Sequence, residues 1–288
     1  MRDGVPIAAA SEEAFSRKKH DPDFPSLSVA YCLKEAGITI AEVDHVVFYD
    51  KPFVKFERLL KTAVASWPGG FRPFMKAMPV WLNQKLWMRQ EFEANLGWLK
   101  DVHFSEHHLS HAASAFFPSP FEEAIILTVD GVGEWATASL GIGRRNKIEP
   151  THEIRFPHSL GLLYSAFTHY LGFKVNSAEY KVMGLAPYGE PTFREHFTDV
   201  IDIKEDGSFR LNMGHFSYDR SLQMTTPKLW DHFGAPPRRE GEPLTQRHKD
   251  IAASLQAVVN EAMVKLATGA VKSTGIQNLV MAGGGGPH

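Results

Sequence analysis

The sequence has few of the features that mark secreted or membrane proteins. It contains one cysteine in 288 residues, Cys32, so no disulfide can form within the chain, whereas large secreted domains more often carry paired cysteines. Its longest apolar stretches, such as 124–129, have the length of a strand and not of a membrane span. Residues 1–13 lack the long apolar segment of a signal peptide. We therefore expect a cytoplasmic protein with no membrane partner.

An excess of charge of either sign is also absent. The formal net charge of -2 provides no positive field of the kind that attracts nucleic-acid backbones, so we expect no nucleic-acid partner. Hydrophobic residues make up 43% of the chain, enough for one large domain or two lobes. Histidine, in contrast, is frequent: there are 14, several of them between positions 103 and 111. Such a cluster indicates metal binding or proton transfer.

Hydrophobic periodicity predicts helices that alternate with strands, a pattern typical of the α/β class. The predicted helices are 26–37, 81–98, 106–117, 160–172 and 249–268, and residues 52–79 contain further helix. The predicted strands are 5–10, 43–49, 102–104, 124–129, 136–142, 148–156 and 278–281. We expect 136–142 and 148–156 to pair antiparallel, 184–189 to form a turn-rich loop, and the polar residues 191–247 to form a surface insertion.

Two histidines and one aspartate form a candidate metal site. His107 and His111 are four residues apart, so on a helix their side chains lie one above the other and can share an ion. Asp130 ends a predicted buried strand, and the carboxyl ends of strands are where open α/β sheets bind ligands. Two imidazoles and one carboxylate with open coordination positions suit Fe(II), with zinc and manganese as alternatives.

Each part of this set also has a plain structural interpretation. Two histidines at this spacing can occur on a helix by coincidence, and an aspartate before glycines is often a turn residue. The neighbouring His108 points to another face of the helix, and His103 lies within a predicted strand. We interpret His103 and His108 as hydrogen-bonded structural residues and not as ligands.

Two glycine-rich segments follow predicted strands and could present backbone N–H groups to a phosphate. They contain Gly131 and Gly133 in one case and Gly283 and Gly284, within 283–286, in the other. Either segment can equally be a plain turn, because glycine is common in turns. Two such loops after two strands are nevertheless the arrangement that a nucleotide-binding cleft requires.

Four cations are candidate ligands for anions. Lys181 lies in an apolar segment and could bind a nucleotide, although a surface lysine whose stem covers its apolar neighbours is the alternative. Arg17, Lys18 and Lys19 form a short basic run that could hold carbamoyl phosphate or a nucleotide. Such a run is usually solvated.

Four blocks of the sequence resemble the NodU/CmcH carbamoyltransferases, and they occur in the order of that family. The blocks are EAFSRKKHD at 13–21, HHLSHAASAF at 107–116, VDGVGE at 129–134 and KVMGLAPYG at 181–189. The resemblance implies an actin/hexokinase-like ATPase (ribonuclease H-like) fold, a mixed sheet flanked by helices. It also implies a relationship to the proteins that build threonylcarbamoyl-adenosine in tRNA.

The resemblance further implies an activity. Family members make carbamoyl-adenylate from carbamoyl phosphate and ATP in a YrdC-like domain, and the domain similar to this chain transfers the carbamoyl group to a hydroxyl of a small molecule or sugar. His107, His111 and Asp130 fall on the family's metal-ligand positions. The base that accepts the hydroxyl proton is not identified by the residues, and His20 and Glu134 are candidates. Partners would be the acceptor molecule and a YrdC-like domain, in trans or in a longer gene product.

The sequence departs from the family at both ends. It begins at a hairpin turn, so the first strand and the aspartate- and histidine-bearing loop after it are not among these residues. It ends in the second glycine loop, where Pro287 and His288 replace the family's continuation. We therefore expect residues 1–288 to be an incomplete N-terminal domain, about half of a family member. A further carboxylate ligand and the YrdC-like domain lie outside it.

Two other functions compete with carbamoyl transfer to a small molecule. A fragment of an ATPase-fold protein could bind a nucleotide or metal without turnover. Threonylcarbamoyl transfer to tRNA is the second alternative, which the absence of a basic surface disfavours.

Overall fold

The computed structural model describes residues 1–18, 21, 23–83 and 85–284. The chain divides into two compact units. The first consists of Met1–Pro52 and Ala77–Ser105, and the second of Phe53–Lys76 and Glu106–His288. Within the described residues, no helix combines the length and the apolar character needed to cross a membrane.

The first unit contains short helices and a small parallel sheet. Its strands β1 (Val46–Phe48) and β2 (Val102–Phe104) pair in parallel, with Val46 opposite Val102. Its helices are α1 (Glu12–Ser16), α2 (Ser26–Ala36) and α5 (Met88–Leu96), with 3-10 turns at Ile40–Glu42 and Lys85–Trp87. The buried residues Phe92, Trp98 and Val102 form its core.

A four-stranded mixed sheet organises the second unit. Its strands are β3 (Glu123–Val129), β4 (Ala136–Arg144), β5 (Lys147–Arg155) and β8 (Leu279–Ala282), in the order β5-β4-β3-β8. Strand β3 is parallel to β8 and antiparallel to β4, which is antiparallel to β5. The predicted antiparallel pair and the predicted mixed sheet are therefore confirmed.

Helices cover both faces of this sheet. They are α6 (His107–Phe116) on one face and α7 (Leu160–Tyr170), α8 (Glu179–Leu185) and α10 (Gln246–Thr274) on the other. The second unit also contains α3 (Pro52–Ala65), except for its first residue. Another helix, α4 (Phe71–Asn83), contributes residues to both units.

Alternate residues of β3 face opposite sides of the sheet. Ala124 and Ile126 pack with Phe116 of α6, whereas Leu127 and Val129 belong to a main core that includes residues of α7 and α10. This alternation is the period of two expected of a strand. It places α6 against one face of the sheet, and the chain after Val129 emerges at the carboxyl end of the strand.

The predicted insertion, residues 191–247, packs into the main core. It forms a 3-10 turn at Arg194–Asp199, strands β6 (Ile201–Ile203) and β7 (Phe209–Leu211), and α9 (Pro227–His232). Eight of its side chains are buried there: Phe197, Val200, Ile201, Phe209, Leu211, Phe216, Leu229 and Phe233. Because these large apolar side chains are buried, this polar segment does more than wrap the surface. That it is an insertion stays a prediction.

Three expectations about individual elements are wrong. The predicted helix 81–98 is not one continuous α-helix, because Lys85–Trp87 forms a 3-10 turn and α5 begins only at Met88. Residues 184–188 are helical and not a loop: α8 reaches Leu185, and Ala186–Tyr188 forms a 3-10 turn in which proline occupies an early position that needs no N–H.

The third correction concerns the predicted strand 5–10. The turn before it exists, with Asp3 and Gly4 at positive φ, but an isolated bridge between Arg2 and Val5 is its only ladder contact among the described residues. A strand needs a neighbour along its length to satisfy its backbone hydrogen bonds, and these residues have none there.

Candidate metal centre

The first two turns of α6 carry both histidines of the candidate site. The helix begins at His107 after Glu106, whose backbone is extended, so His107 and His111 are one turn apart on the same face. Their rings meet edge to face, with centroids 4.6 Å apart. The two Nε2 atoms are 3.1 Å apart, so both present the same nitrogen to one point.

Asp130 completes the cluster from the end of β3. Its Oδ2 lies 2.7 Å from Nε2 of His107 and 3.4 Å from Nε2 of His111. In the part of the chain that the structure describes, these three residues form a group of histidine and acidic side chains that could hold a metal ion. The predicted convergence of two imidazoles and a carboxylate is therefore present in the structure.

The spacing of the three donor atoms fits one divalent ion. With separations of 2.7, 3.1 and 3.4 Å, the atoms lie on a circle of about 1.8 Å radius, so a point about 2.1 Å from each exists, the length of a zinc–imidazole bond. The side chains of His107, Asp130 and His111 are 15, 18 and 29% exposed. Partial exposure leaves coordination positions open to a further ligand.

The backbone of the following turn fixes the Asp130 carboxylate. The N–H of Gly131 donates to Oδ1 at 2.8 Å, which leaves Oδ2 for the histidines. Burial alone would raise the pKa of Asp130, but the hydrogen bonds from His107, His111 and the Gly131 N–H outweigh it and hold the pKa below its usual range. Asp130 is therefore an anion at neutral pH, as a metal ligand must be.

Glu134 anchors the amino end of α6. Its side chain is buried, and its two oxygens accept the backbone N–H of His107 at 3.1 and 3.0 Å. A carboxylate at a helix amino end satisfies an N–H that has no partner within the helix and interacts favourably with the helix dipole. Glu134 thus has a structural contact with one ligand residue, and its role as a base stays a prediction.

His108 faces into the protein, as predicted for a structural histidine. Its Nδ1 lies 2.6 Å from Oγ1 of Thr128 and 3.2 Å from Oγ of Ser139. Burial lowers the pKa of His108 to about 4, so the ring is neutral at pH 7. The other predicted structural histidine, His103, lies in the first unit with its Nε2 3.1 Å from Nδ1 of His45.

Three glycines of the predicted loops pack closely around the cluster. A Cβ on Gly133 would lie 2.8 Å from the His108 ring, and one on Gly284 would lie 3.2 Å from Oδ1 of Asp130. Gly283 has a φ of +106°, and a Cβ there would lie 2.2 Å from the Val129 carbonyl oxygen. Larger residues at Gly133 and Gly283 would displace the loops, which explains glycine there without reference to a phosphate.

Comparison with protein families identifies the chain. Residues 1–287 match the model of the family described as the carbamoyltransferase N-terminus. The chain belongs to this family. The match covers the cluster and both glycine loops, and it confirms the family predicted from the four sequence blocks.

Curated relatives support the same assignment. The chain is 54% identical to the uncharacterized protein sll1178 of Synechocystis over 99% of the chain and 48% of that protein. It is 35% identical to the nodulation protein NolNO of Sinorhizobium fredii, over 99% of the chain and 39% of that protein. With the nodulation protein NolO of Bradyrhizobium diazoefficiens it shares 34% identity over 62% of the chain. This carbamoyltransferase N-terminus thus spans half or less of the length of these relatives.

Other residues predicted for this carbamoyltransferase N-terminus lie outside the cluster. Lys181 is exposed on α8, which agrees with a surface lysine. Arg17 follows α1 with a left-handed backbone, and Lys18 pairs with Asp23 at 3.4 Å, both in the first unit. Their roles in binding substrate stay predictions.

Some predicted residues are outside the described part of the chain. They are Lys19 and His20 of the basic run, and Gly285, Gly286, Pro287 and His288 of the second glycine segment. The roles proposed for Lys19 in binding substrate and for His20 as a base therefore stay predictions.

The structure adds two residues to the site that sequence reasoning missed. Ser159, at the start of α7, accepts the N–H of Leu162, and its Oγ lies 3.1 and 2.7 Å from the carbonyl oxygens of Asp130 and Gly131. Its position before an apolar helix is a capping signal that the sequence contains. The second residue is Arg58 of α3, whose Nη1 donates to the Gly133 carbonyl at 3.0 Å, and no sequence pattern indicated this contact.

Proposed function

We propose that this chain is the part of an O-carbamoyltransferase that transfers the carbamoyl group to the acceptor molecule. It would transfer a carbamoyl group from carbamoyl-adenylate to a hydroxyl of a small molecule or sugar. The observation that carries the proposal is the meeting of Nε2 of His107, Nε2 of His111 and Oδ2 of Asp130, all within bonding distance of one point. Family membership supports the reaction class.

The donor set favours a divalent metal ion, and we propose Fe(II), with zinc and manganese as alternatives. Bound there, the ion would act as a Lewis acid that stabilises negative charge on the carbonyl oxygen. Glu134 and the Gly131 N–H keep His107 and Asp130 in place. The hydroxyl oxygen would bond to the carbonyl carbon while the bond from that carbon to the phosphate oxygen breaks, releasing AMP and the hydroxyl proton.

We also propose which residues bind the anionic substrates. Backbone N–H groups at Gly131, Gly133, Gly283 and Gly284 are candidates for the adenylate phosphate. Arg17 and Lys18 are candidates for carbamoyl phosphate or the nucleotide, as are Lys19 and Lys181. Carbamoyl-adenylate would be made by a YrdC-like domain, in trans or in a longer gene product, and a cytoplasmic setting stays a prediction.

The test measures AMP release from carbamoyl-adenylate by the Fe(II)-loaded chain. A YrdC-like domain with ATP and carbamoyl phosphate would supply the adenylate. A panel of hydroxylated acceptors would then be added, with dissolved oxygen excluded so that the iron stays Fe(II). We expect acceptor-dependent AMP release that His111→Ala abolishes. The matched control, His152→Ala, removes an exposed histidine of β5 and should leave release unchanged.

Other outcomes would support different functions. Tight binding of Fe(II) or nucleotide without AMP release under any condition would favour a binding fragment that lacks turnover. AMP release that requires tRNA as the acceptor would favour threonylcarbamoyl-type chemistry. Equal AMP release by wild type and His111→Ala would contradict the proposed centre.

A further inference from the structure

We propose that Arg58 is a positioning residue for the metal centre. It would hold the turn 131–134, which connects the Asp130 ligand to Glu134 and, through Glu134, to the amino end of α6. This inference depends on the proposed metal site and adds a residue from an element that carries none of the ligands. It concerns how the three donor atoms are kept at their spacing.

Arg58 is fixed on two sides. Its Nη1 donates to the carbonyl oxygen of Gly133 at 3.0 Å, and its guanidinium carbon lies 5.5 Å from the centre of the Phe156 ring. Phe156 is hydrogen-bonded to the residue that follows the turn 131–134, since its N–H donates to the Trp135 carbonyl at 2.8 Å. The planar guanidinium therefore lies against a ring and a carbonyl that both belong to the structure around the turn.

The charge of Arg58 also suits this position. Burial lowers its pKa to about 10, so the group remains a cation at neutral pH, and Glu134 is the acidic neighbour that favours its charged form. Glu134 is buried, with 8% of its surface exposed. Removing the Arg58 cation would leave the buried Glu134 carboxylate without this electrostatic attraction. The charge of Arg58 thus attracts the Glu134 carboxylate, the group that accepts the His107 N–H.

The turn transmits the effect to two ligands at once. Its first residue, Gly131, donates its N–H to Asp130, and its last, Glu134, accepts the N–H of His107. Its third residue, Gly133, accepts from Arg58 and packs against the histidine-bearing helix. A shift of Gly133 therefore moves the two contacts that hold His107 and Asp130 relative to one another.

The test measures Co(II) affinity and the visible spectrum of the Co(II)-saturated chain for wild type, Arg58→Met and Arg58→Lys. We expect the Kd for Co(II) to rise about tenfold in Arg58→Met, as for other residues that orient metal ligands. Arg58→Lys keeps the positive charge but loses the planar guanidinium that stacks on Phe156, so its Kd for Co(II) should rise less than that of Arg58→Met. The spectrum at saturation should change in Arg58→Met, because the ligands are displaced.

A matched control separates positioning from general stability. Arg72→Met removes an exposed arginine of α4 and should leave both the Kd and the spectrum unchanged. A double variant, Arg58→Met with Glu134→Gln, should raise the Kd by less than the product of the two single effects, since both act through the same contact.

Several results would overturn the inference. A Kd within twofold of wild type together with an unchanged spectrum in Arg58→Met would do so, as would equal effects of Arg58→Met and Arg72→Met. If Arg58→Met does not fold, the decision falls to Arg58→Lys. A Kd for Co(II) and a spectrum equal to those of wild type in that variant would contradict a positioning role for the guanidinium. Absence of Co(II) binding in wild type would remove the metal site itself, and this inference with it.

Discussion

His107 and Asp130 of the candidate centre are each held by a contact outside the cluster. The His107 backbone is fixed by Glu134, and the Asp130 carboxylate by the N–H of Gly131. Gly133 lets the turn pack against α6, where a Cβ would meet His108 and His107. The geometry therefore depends on residues that are not ligands, as is common around metal sites.

Removing either imidazole should weaken metal binding. We expect His107→Ala and His111→Ala each to raise the Kd for Fe(II) by at least about tenfold, because each variant removes one of the three protein atoms that would coordinate the ion. The measurement is metal titration of the purified chain without oxygen. His152→Ala serves as the control. Metal content that is unchanged in both ligand variants would mean that the site is misassigned.

The sequence indicated these candidate ligands for a definite reason. A spacing of four residues on a helix and an acid at a strand end are local patterns, readable from the order of residues. Arg58 lies 75 positions from Gly133, and no local pattern connects them. A contact between distant segments becomes visible only when the chain is folded.

At the scale of elements, the docking of α6 on the sheet sets where its histidines lie. Phe116, at the end of the helix, is 2% exposed and packs with Ala124 and Ile126 of β3. Its ring also covers Gly143 of β4, where a Cβ would lie 2.6 Å from the ring. The helix is thus anchored at its carboxyl end by packing and at its amino end by Glu134.

Two neighbouring phenylalanines offer a test of this anchor. Phe116→Ala should lower the free energy of unfolding by about 3 to 5 kcal/mol, since it leaves a cavity in the core. Phe117→Ala, at a side chain that is 53% exposed, should cost less than about 1 kcal/mol. Urea unfolding of both variants measures the difference. Equal losses would contradict the packing described for α6.

A buried histidine in the segment 191–247 should make stability depend on pH. His215 is fully buried, and its Nε2 lies 2.7 Å from Oδ2 of Asp199. Burial lowers the pKa of His215, although the hydrogen bond to Asp199 opposes this, and the nearby Lys228 and His232 lower the pKa further. The folded state therefore binds this proton less readily than the unfolded state, whose histidine pKa is about 6.5.

The sign of the effect follows from that difference. The stabilising contribution is fully present above pH about 6.5 and is lost as the pH falls toward the folded pKa. Unfolding free energies at pH about 7.5 and 5.5 should differ less in His215→Gln than in wild type. His152→Gln, the exposed control, should keep the wild-type difference. An unchanged pH dependence in His215→Gln would contradict the assignment.

Elements with strong periodicity were predicted correctly, and those decided by packing were not. Strand β3 and helix α6 have clear patterns and lie within one residue of their predicted bounds. The break between α4 and α5 was missed because apolar residues continue through 81–98. Periodicity alone does not register a 3-10 turn such as Lys85–Trp87 within an apolar pattern that continues on both sides.

At the scale of the whole molecule, metal binding should stabilise the unit that contains the cluster. A ligand that binds only the folded state, at a free concentration of 100 times its Kd, adds about 2.7 kcal/mol. We expect Co(II) to raise the Tm of the wild-type chain. Asp130→Asn, which removes the anionic ligand, should abolish the rise. A similar rise in both proteins would indicate binding elsewhere.

The sequence by itself determined which side chains make up the candidate site. It supplied two imidazoles at helical spacing, an acid at a strand end, and blocks shared with a family, because each of these depends only on residues close together in the chain. The tertiary structure decided which distant groups support them: Arg58 against Gly133, Phe116 against Gly143, and the burial of residues from 191–247. These contacts arise from packing between segments far apart in sequence, where many arrangements suit the same local pattern and only the folded chain selects one.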